Sequence, residues 1–187
     1  EDTSSLAGQT VNTIFSGQFS DIDAGSSLGG IAVVGNAANA GTEGVWQYST
    51  NGTNWYAIGS VADDASALAL GSSTLVRFVP MADYNGTPTA LTVRGLDNSY
   101  AGGYSNTAGA EVRVNVNTTT NGGTTAIAAT TATLQTSITP VNEPLLVRAR
   151  VERIEGRKRF LVGEIWHGEV LCAEAHALFV ELKPGQP

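Results

Sequence analysis

Apolar and polar residues in the first three quarters of this chain alternate over short runs broken by Gly, Asn, Asp and Ser, a pattern of strands and turns. Ile31–Val34 is a brief apolar run after Gly29-Gly30. Val45-Trp-Gln-Tyr-Ser49 alternates, and Trp55–Ile58 returns beyond Asn51-Gly52, residues that a tight hairpin turn favours because both tolerate positive φ. The spacing therefore predicts a hairpin over residues 44–58. Leu75–Val79 and Leu91–Gly95 read as two more strands around Asp83-Tyr-Asn-Gly-Thr-Pro88, which is turn chemistry throughout. Glu111–Val116 alternates strictly, and Ala126–Ile138 is a long Thr/Ala/Ile stretch. Ser66–Leu70 is the one segment that reads as a short helical turn. About seven strands at this spacing, without a helical period, predict an antiparallel β-sandwich of cadherin or immunoglobulin type. Trp46, Phe78, Val79, Leu91 and Val93 are its expected core.

The last forty residues have a cleaner rhythm. Val147, Ala149 and Val151 share one face of a strand, with Arg148, Arg150 and Glu152 on the other. Glu155-Gly156 turns the chain, Arg159–Trp166 alternates again, His167-Gly168 makes a second turn, and Val170–Leu182 forms a third strand. A three-stranded antiparallel meander follows from this pattern. Alone it is marginal, because a small sheet needs something packed on its apolar face. That face is expected to cover itself by packing, by aggregation or by forming a homo-oligomer through the meander.

Charge divides the chain at the same place. Residues 1–144 carry three basic side chains (Arg77, Arg94, Arg113) against eleven acidic ones, a net of −8. Residues 145–187 carry seven basic against six acidic, a net of +1. The break falls at Pro140-Val-Asn-Glu-Pro144, so two modules, 1–144 and 145–187, are expected. A net charge of −7 argues against nucleic acid as a partner, since phosphate binding needs Lys and Arg in excess. No apolar run is long enough to predict a membrane span. The only cysteine, Cys172, rules out an intramolecular disulfide and reads as a buried strand thiol. A chain that begins at Glu1 is read as a segment of something longer.

Carboxylates without basic partners suit a divalent cation. They gather near turns at Glu1-Asp2, Asp21-Ile-Asp23, Asp63-Asp64, Asp83-x-Asn85, Asp97-Asn98 and Asn142-Glu143. Calcium takes six to eight oxygens from carboxylates, Asn side chains and loop carbonyls, which strand ends of a sandwich supply. Glu1, Asp2, Asp21, Asp23, Asp97, Asn142 and Glu143 are the candidate calcium ligands. The competing reading is that Asp and Asn serve the turns by accepting backbone hydrogen bonds. Trp46, Trp55, Tyr48 and Tyr56 invite stacking on a cell-surface glycan, but their alternation favours core packing. His167 and His176 have no spaced nucleophile, and no catalytic residue is assigned.

Two resemblances enter here. Asp21-Ile-Asp23, Val45-Trp-Gln-Tyr-Ser49, Trp55-Tyr-Ala-Ile-Gly59, Val76-Arg-Phe-Val-Pro80, Ala82-Asp-Tyr-Asn-Gly86, Leu91-Thr-Val-Arg94 and Val141-Asn-Glu-Pro144 resemble, in order, one repeat of the cadherin-like tandem modules in large bacterial adhesins and RTX-type surface proteins. That resemblance covers nearly all of residues 1–144. It implies an extracellular, non-catalytic spacer with neighbouring adhesin modules as partners and calcium between consecutive modules. The family usually closes with Asn-Asp before Ala-Pro, where this chain has Asn142, Glu143 and Pro144. Val151-Glu-Arg-Ile-Glu-Gly-Arg-Lys-Arg-Phe160, Gly163-Glu-Ile165, Cys172-Ala-Glu-Ala175 and Ala177-Leu-Phe-Val180 resemble the final strands of a hotdog-fold acyl-CoA thioesterase. This second resemblance implies a partial hotdog sheet and, taken alone, a cytoplasmic origin. The family's catalytic carboxylate lies in a central helix region before these strands, where this chain has adhesin-like sequence, so no catalytic role carries over.

Overall fold

The computed structural model describes residues 6–20, 25–139, 144–182 and 185, and the chain divides into two compact units, Glu1–Pro140 and Val141–Pro187. In the first unit the elements run β1 (Gln9–Thr10), α1 (Val11–Phe15), β2 (Leu28–Asn36), β3 (Gly44–Ser49), β4 (Tyr56–Ala57), β5 (Ala67–Gly71), β6 (Leu75–Pro80), β7 (Leu91–Asp97), β8 (Asn115–Val116) and β9 (Ile127–Leu134). They form two antiparallel sheets, one ordered β1-β6-β3-β4 and the other β8-β5-β2-β7-β9. The fold is all-β, as the alternation requires.

Between the sheets lies the main core. Trp46, Tyr48, Val76 and Phe78 come from the four-stranded sheet; Ile31, Val33, Leu68, Leu70, Leu91 and Val93 come from the five-stranded one. Trp46 meets Phe78 edge-on with ring centroids 5.1 Å apart, the arrangement that ring quadrupoles favour. Four of the five expected core residues are buried. Val79 is only half-buried, because the inward phase of β6 falls on Val76 and Phe78. A one-residue error of phase moves a side chain to the other face of a strand.

The five-stranded sheet is buried on its second face too. Ala32, Val34, Ala67, Ala69 and Leu96 point away from the sandwich interior and gather with Val116 and Ile127, with Tyr100, Tyr104 and Val114 packed against them. Tyr100, Tyr104 and Val114, from the connection between β7 and β8, thus cover this second face. Two-sided burial explains the segment that was expected to be helical. Ala67-Leu-Ala-Leu70 is strand β5 with all four residues buried, so polarity cannot mark its period of two. Large side chains face the main core and alanines face the outer layer.

Other differences are local. Asn51-Gly52 lies in a six-residue connection from Ser49 to Tyr56 rather than a two-residue turn. Gly52 has φ +72°, and the Asn51 side chain accepts from the N–H groups of Thr53 and Asn54. Of the alternating run 111–116 only Asn115–Val116 joins a sheet, and of 126–138 the strand takes Ile127–Leu134. The one-turn helix α1 has no period to announce it. Thr10 caps it by accepting the Thr13 N–H, and Val11 and Phe15 are buried.

The second unit is the expected antiparallel meander: β10 (Leu146–Glu155), β11 (Lys158–His167) and β12 (Val170–Val180). One face gathers Val147, Ala149, Val151, Leu161, Ile165, Ala173, Ala175 and Ala177 by register. Val147 and Val151 on that face are 70% and 51% exposed. The other face carries Arg148, Arg150, Glu164, Glu174 and His176 around the buried Val162. Arg150 pairs with Glu164, and Arg153 lies over the Phe160 ring at 4.1 Å. Cys172 is exposed, not buried; it is the extra residue where the register shifts opposite Ile165 and Trp166 on an outer strand.

Tyr104 lies on a glycine patch of the outer face. A methyl group at Gly30 would sit 2.4 Å from the Leu70 carbonyl oxygen and 2.6 Å from the Tyr104 ring. The Leu70 carbonyl cannot yield without moving the sheet and the Tyr104 ring would have to lift, so Gly30→Ala should destabilise the sandwich by about 1–3 kcal/mol, the usual cost of overpacking. Denaturant unfolding of the variant checks this; an unchanged midpoint would mean that Tyr104 does not rest on the sheet.

Candidate functional site

Of the seven candidate calcium ligands only Asp97 lies among the described residues; Glu1, Asp2, Asp21, Asp23, Asn142 and Glu143 lie outside them. Asp97 ends β7 and is buried. Its Oδ1 accepts the Ser99 N–H at 2.7 Å and the Ser99 hydroxyl at 2.6 Å, closing a local turn. Asn98, next to it, accepts the Ser27 N–H at 3.0 Å, and Leu28 stands opposite Asp97 in the register of β2 and β7. The chain that leads out of Asp21-x-Asp23 is therefore tied down at Asp97-Asn98 within four residues of Asp23. Among the described residues, no group of three or more His, Cys, Asp or Glu side chains is placed to hold a metal.

Four other carboxylates of the sandwich, Glu43, Asp63, Asp64 and Glu111, hold loops. Glu43 accepts the Asn39 N–H at 2.7 Å and the Thr89 N–H at 2.8 Å, and these backbone donors hold its carboxyl below the ordinary value. The Thr89 carbonyl in turn accepts the Trp46 indole N–H at 2.9 Å. Asp63 receives the Arg94 guanidinium through both oxygens, at 2.8 and 2.6 Å, and the Thr118 hydroxyl at 2.6 Å. Arg94 also donates to the carbonyls of Ala128 and Ala129 on β9. Asp64 closes a turn on the N–H and hydroxyl of Ser66, which hold its carboxyl low. Glu111 accepts the Tyr48 hydroxyl at 2.6 Å; burial first, and then this carboxylate, push the phenol well above its ordinary pKa. Here the turn-and-staple reading of the acidic residues describes the geometry.

The aromatic residues of the hairpin are likewise committed. Trp46 and Tyr48 are core. Trp55 carries the Arg77 guanidinium 3.9 Å from its ring centre and donates to the Gly52 carbonyl at 3.1 Å. Tyr56 donates to the Gly109 carbonyl at 3.2 Å. A groove of about 360 Å³ runs between Phe15, Phe19, Leu28 and the strand residues Val93 and Thr130–Thr133, and among the described residues its lining holds no acid, base or thiol. In the meander, His176 pairs with Glu174 at 2.8 Å and His167 is exposed at the end of β11. The threonine staples were missed by the sequence. Thr50 and Thr107 exchange reciprocal bonds, each hydroxyl accepting the other's N–H at 2.8 and 3.0 Å. A pair 57 residues apart leaves no local signal.

Comparison with family models, with curated proteins and with solved structures returned no match. What the chain does must be read from its own residues.

The Asp63–Arg94 pair gives a pH dependence. The Arg94 guanidinium holds the Asp63 carboxyl at about 2, below its ordinary 3.8. A depressed carboxylate contributes stability that is complete above its ordinary pKa and is lost as pH falls through the folded value, so the window is about pH 4 to pH 2. Asp63 is 41% exposed, which limits the pair through solvent screening, while Arg94 is only 11% exposed. Asp63→Asn should cost about 1 kcal/mol at neutral pH, with the gap to the parent closing across that window. Thermal melts of the two proteins over this range test it; parallel curves would remove the pair from the acid response.

Proposed function

We propose that residues 1–144 act as a non-catalytic, extracellular spacer or adhesive module stabilised by calcium and flanked by similar modules, and that residues 145–187 are an incomplete thioesterase-like sheet without activity. The observation that carries this reading is the meeting of β2 and β7 at Asp97, Asn98 and Ser27. It brings the segment following Asp21 and Asp23 to a buried carboxylate at a sandwich end. Oδ1 of Asp97 is taken by Ser99, so a cation would use the other oxygen together with carboxylates from Asp21 and Asp23. The staples at Glu43, Asp63, Asp64 and Glu111 support a mechanical role, since each spends a charge on holding a connection in place. The strand β9, rather than a helix offering free N–H groups to a thioester, precedes the meander in the chain.

An ion bound only by the folded chain adds stability that grows with its concentration, about 2.7 kcal/mol at a hundred times its Kd. Millimolar calcium should therefore raise Tm over the value in chelator, and Asp21→Asn/Asp23→Asn and Asp97→Asn should each blunt the rise. A melt indifferent to calcium removes the metal from the reading. The full chain should also leave acyl-CoA thioesters at the buffer rate of hydrolysis. Turnover abolished by changing one carboxylate would assign it an active site and a different function.

A further inference from the structure

The meander has two outer strands, and they are not alike. β10 carries Arg148, Arg150, Glu152, Arg153 and Glu155 among its ten residues. Charge keeps an edge from pairing, and it is what separates the two strands, since both carry a bulge, β10 at Glu152 and β12 at Cys172. β12 is eleven residues long, exposed throughout, and holds only Glu174 and His176 as polar interruptions. From Ala173 to Val180 its register against β11 is unbroken. Among the described residues no strand pairs with its outer side.

We propose that β12 pairs antiparallel with β12 of a second copy of this chain, about a two-fold axis through Ala175, giving one continuous six-stranded sheet. The polar pair Glu174 and His176, which already meet at 2.8 Å within one strand, selects the partner and the register. Opposed residues of two antiparallel strands lie on one face, and an axis at Ala175 sets Glu174 of each copy against His176 of the other. On the opposite face Ala173 meets Ala177 and Ala175 meets itself, small side chains that let the backbones approach without a clash. Ala173–Ala177 of the two copies face one another within the unbroken register, and the bulge at Cys172 lies beyond them on either side. Pairing also gives partners to the backbone N–H and C=O groups on the outer side of β12. The arrangement is isologous, so it closes at two copies.

Sedimentation of the full chain, combined with cysteine placement in a Cys172→Ser background, tests this. Ala175→Cys puts a thiol on the axis, and mild oxidation should link two chains. Ala173→Cys lies four residues, about 14 Å, from its own copy and should not link, since a disulfide needs Cα atoms within about 7 Å. Glu174→Lys should weaken the dimer at least tenfold, and the exchanged variant Glu174→His/His176→Glu should restore it. A monomer at tens of micromolar, equal linking at 173 and 175, or an exchange that fails to restore association would each overturn the proposal.

Discussion

Everything in the sandwich depends on burying the five-stranded sheet from both sides. Ile31–Val34 and Ala67–Leu70 have no polar face, so these strands are insoluble until both layers are in place. The inner layer is ordinary sheet-on-sheet packing with Trp46, Tyr48 and Phe78 as its bulk. The outer layer is irregular backbone from the connection between β7 and β8, anchored by Tyr100 and Tyr104. Irregular backbone brings polar groups that must find partners near an apolar surface. The dense set of Asp, Asn, Thr and Ser contacts around it answers that need: Thr118 on Asp63, Thr50 with Thr107, Tyr48 on Glu111.

Four carboxylates of this unit, Glu43, Asp63, Asp64 and Glu111, sit at or near the surface and end on backbone N–H groups, hydroxyls and guanidinium groups. Glu43 is typical: one side chain fixes the Asn39 and Thr89 backbones and so sets the carbonyl that receives the Trp46 indole. Both Glu43 bonds are exposed, so removing the carboxylate would hand these donors to water and cost chiefly the order of the loop.

How much was legible follows from how the signals arise. Strands with one wet face, such as β3, β6 and the meander strands, announced themselves by alternation. β5 did not, because both of its faces are dry, and α1 is too short for any period. Val79 was misplaced by one step of phase, and Cys172 was placed inside because apolar neighbours imply burial only when another layer covers them. The candidate site was legible only in part. Asp97 stood out as a carboxylate at a strand end, but its bond to Ser99 and the tie from Ser27 to Asn98 join distant segments, and spacing along the chain does not encode them.

The alanines of the outer face set an order of events. Ala32, Ala67 and Ala69 present single methyl groups to the outer layer, whereas the inner face presents whole Leu, Ile and aromatic side chains. Apolar stabilisation scales with area, so lifting the outer layer uncovers far less surface than separating the sheets. The outer layer therefore loosens before the sheets part, and the five-stranded sheet loses its second cover when it does. Polar ties carry more of its attachment than they do between the two sheets.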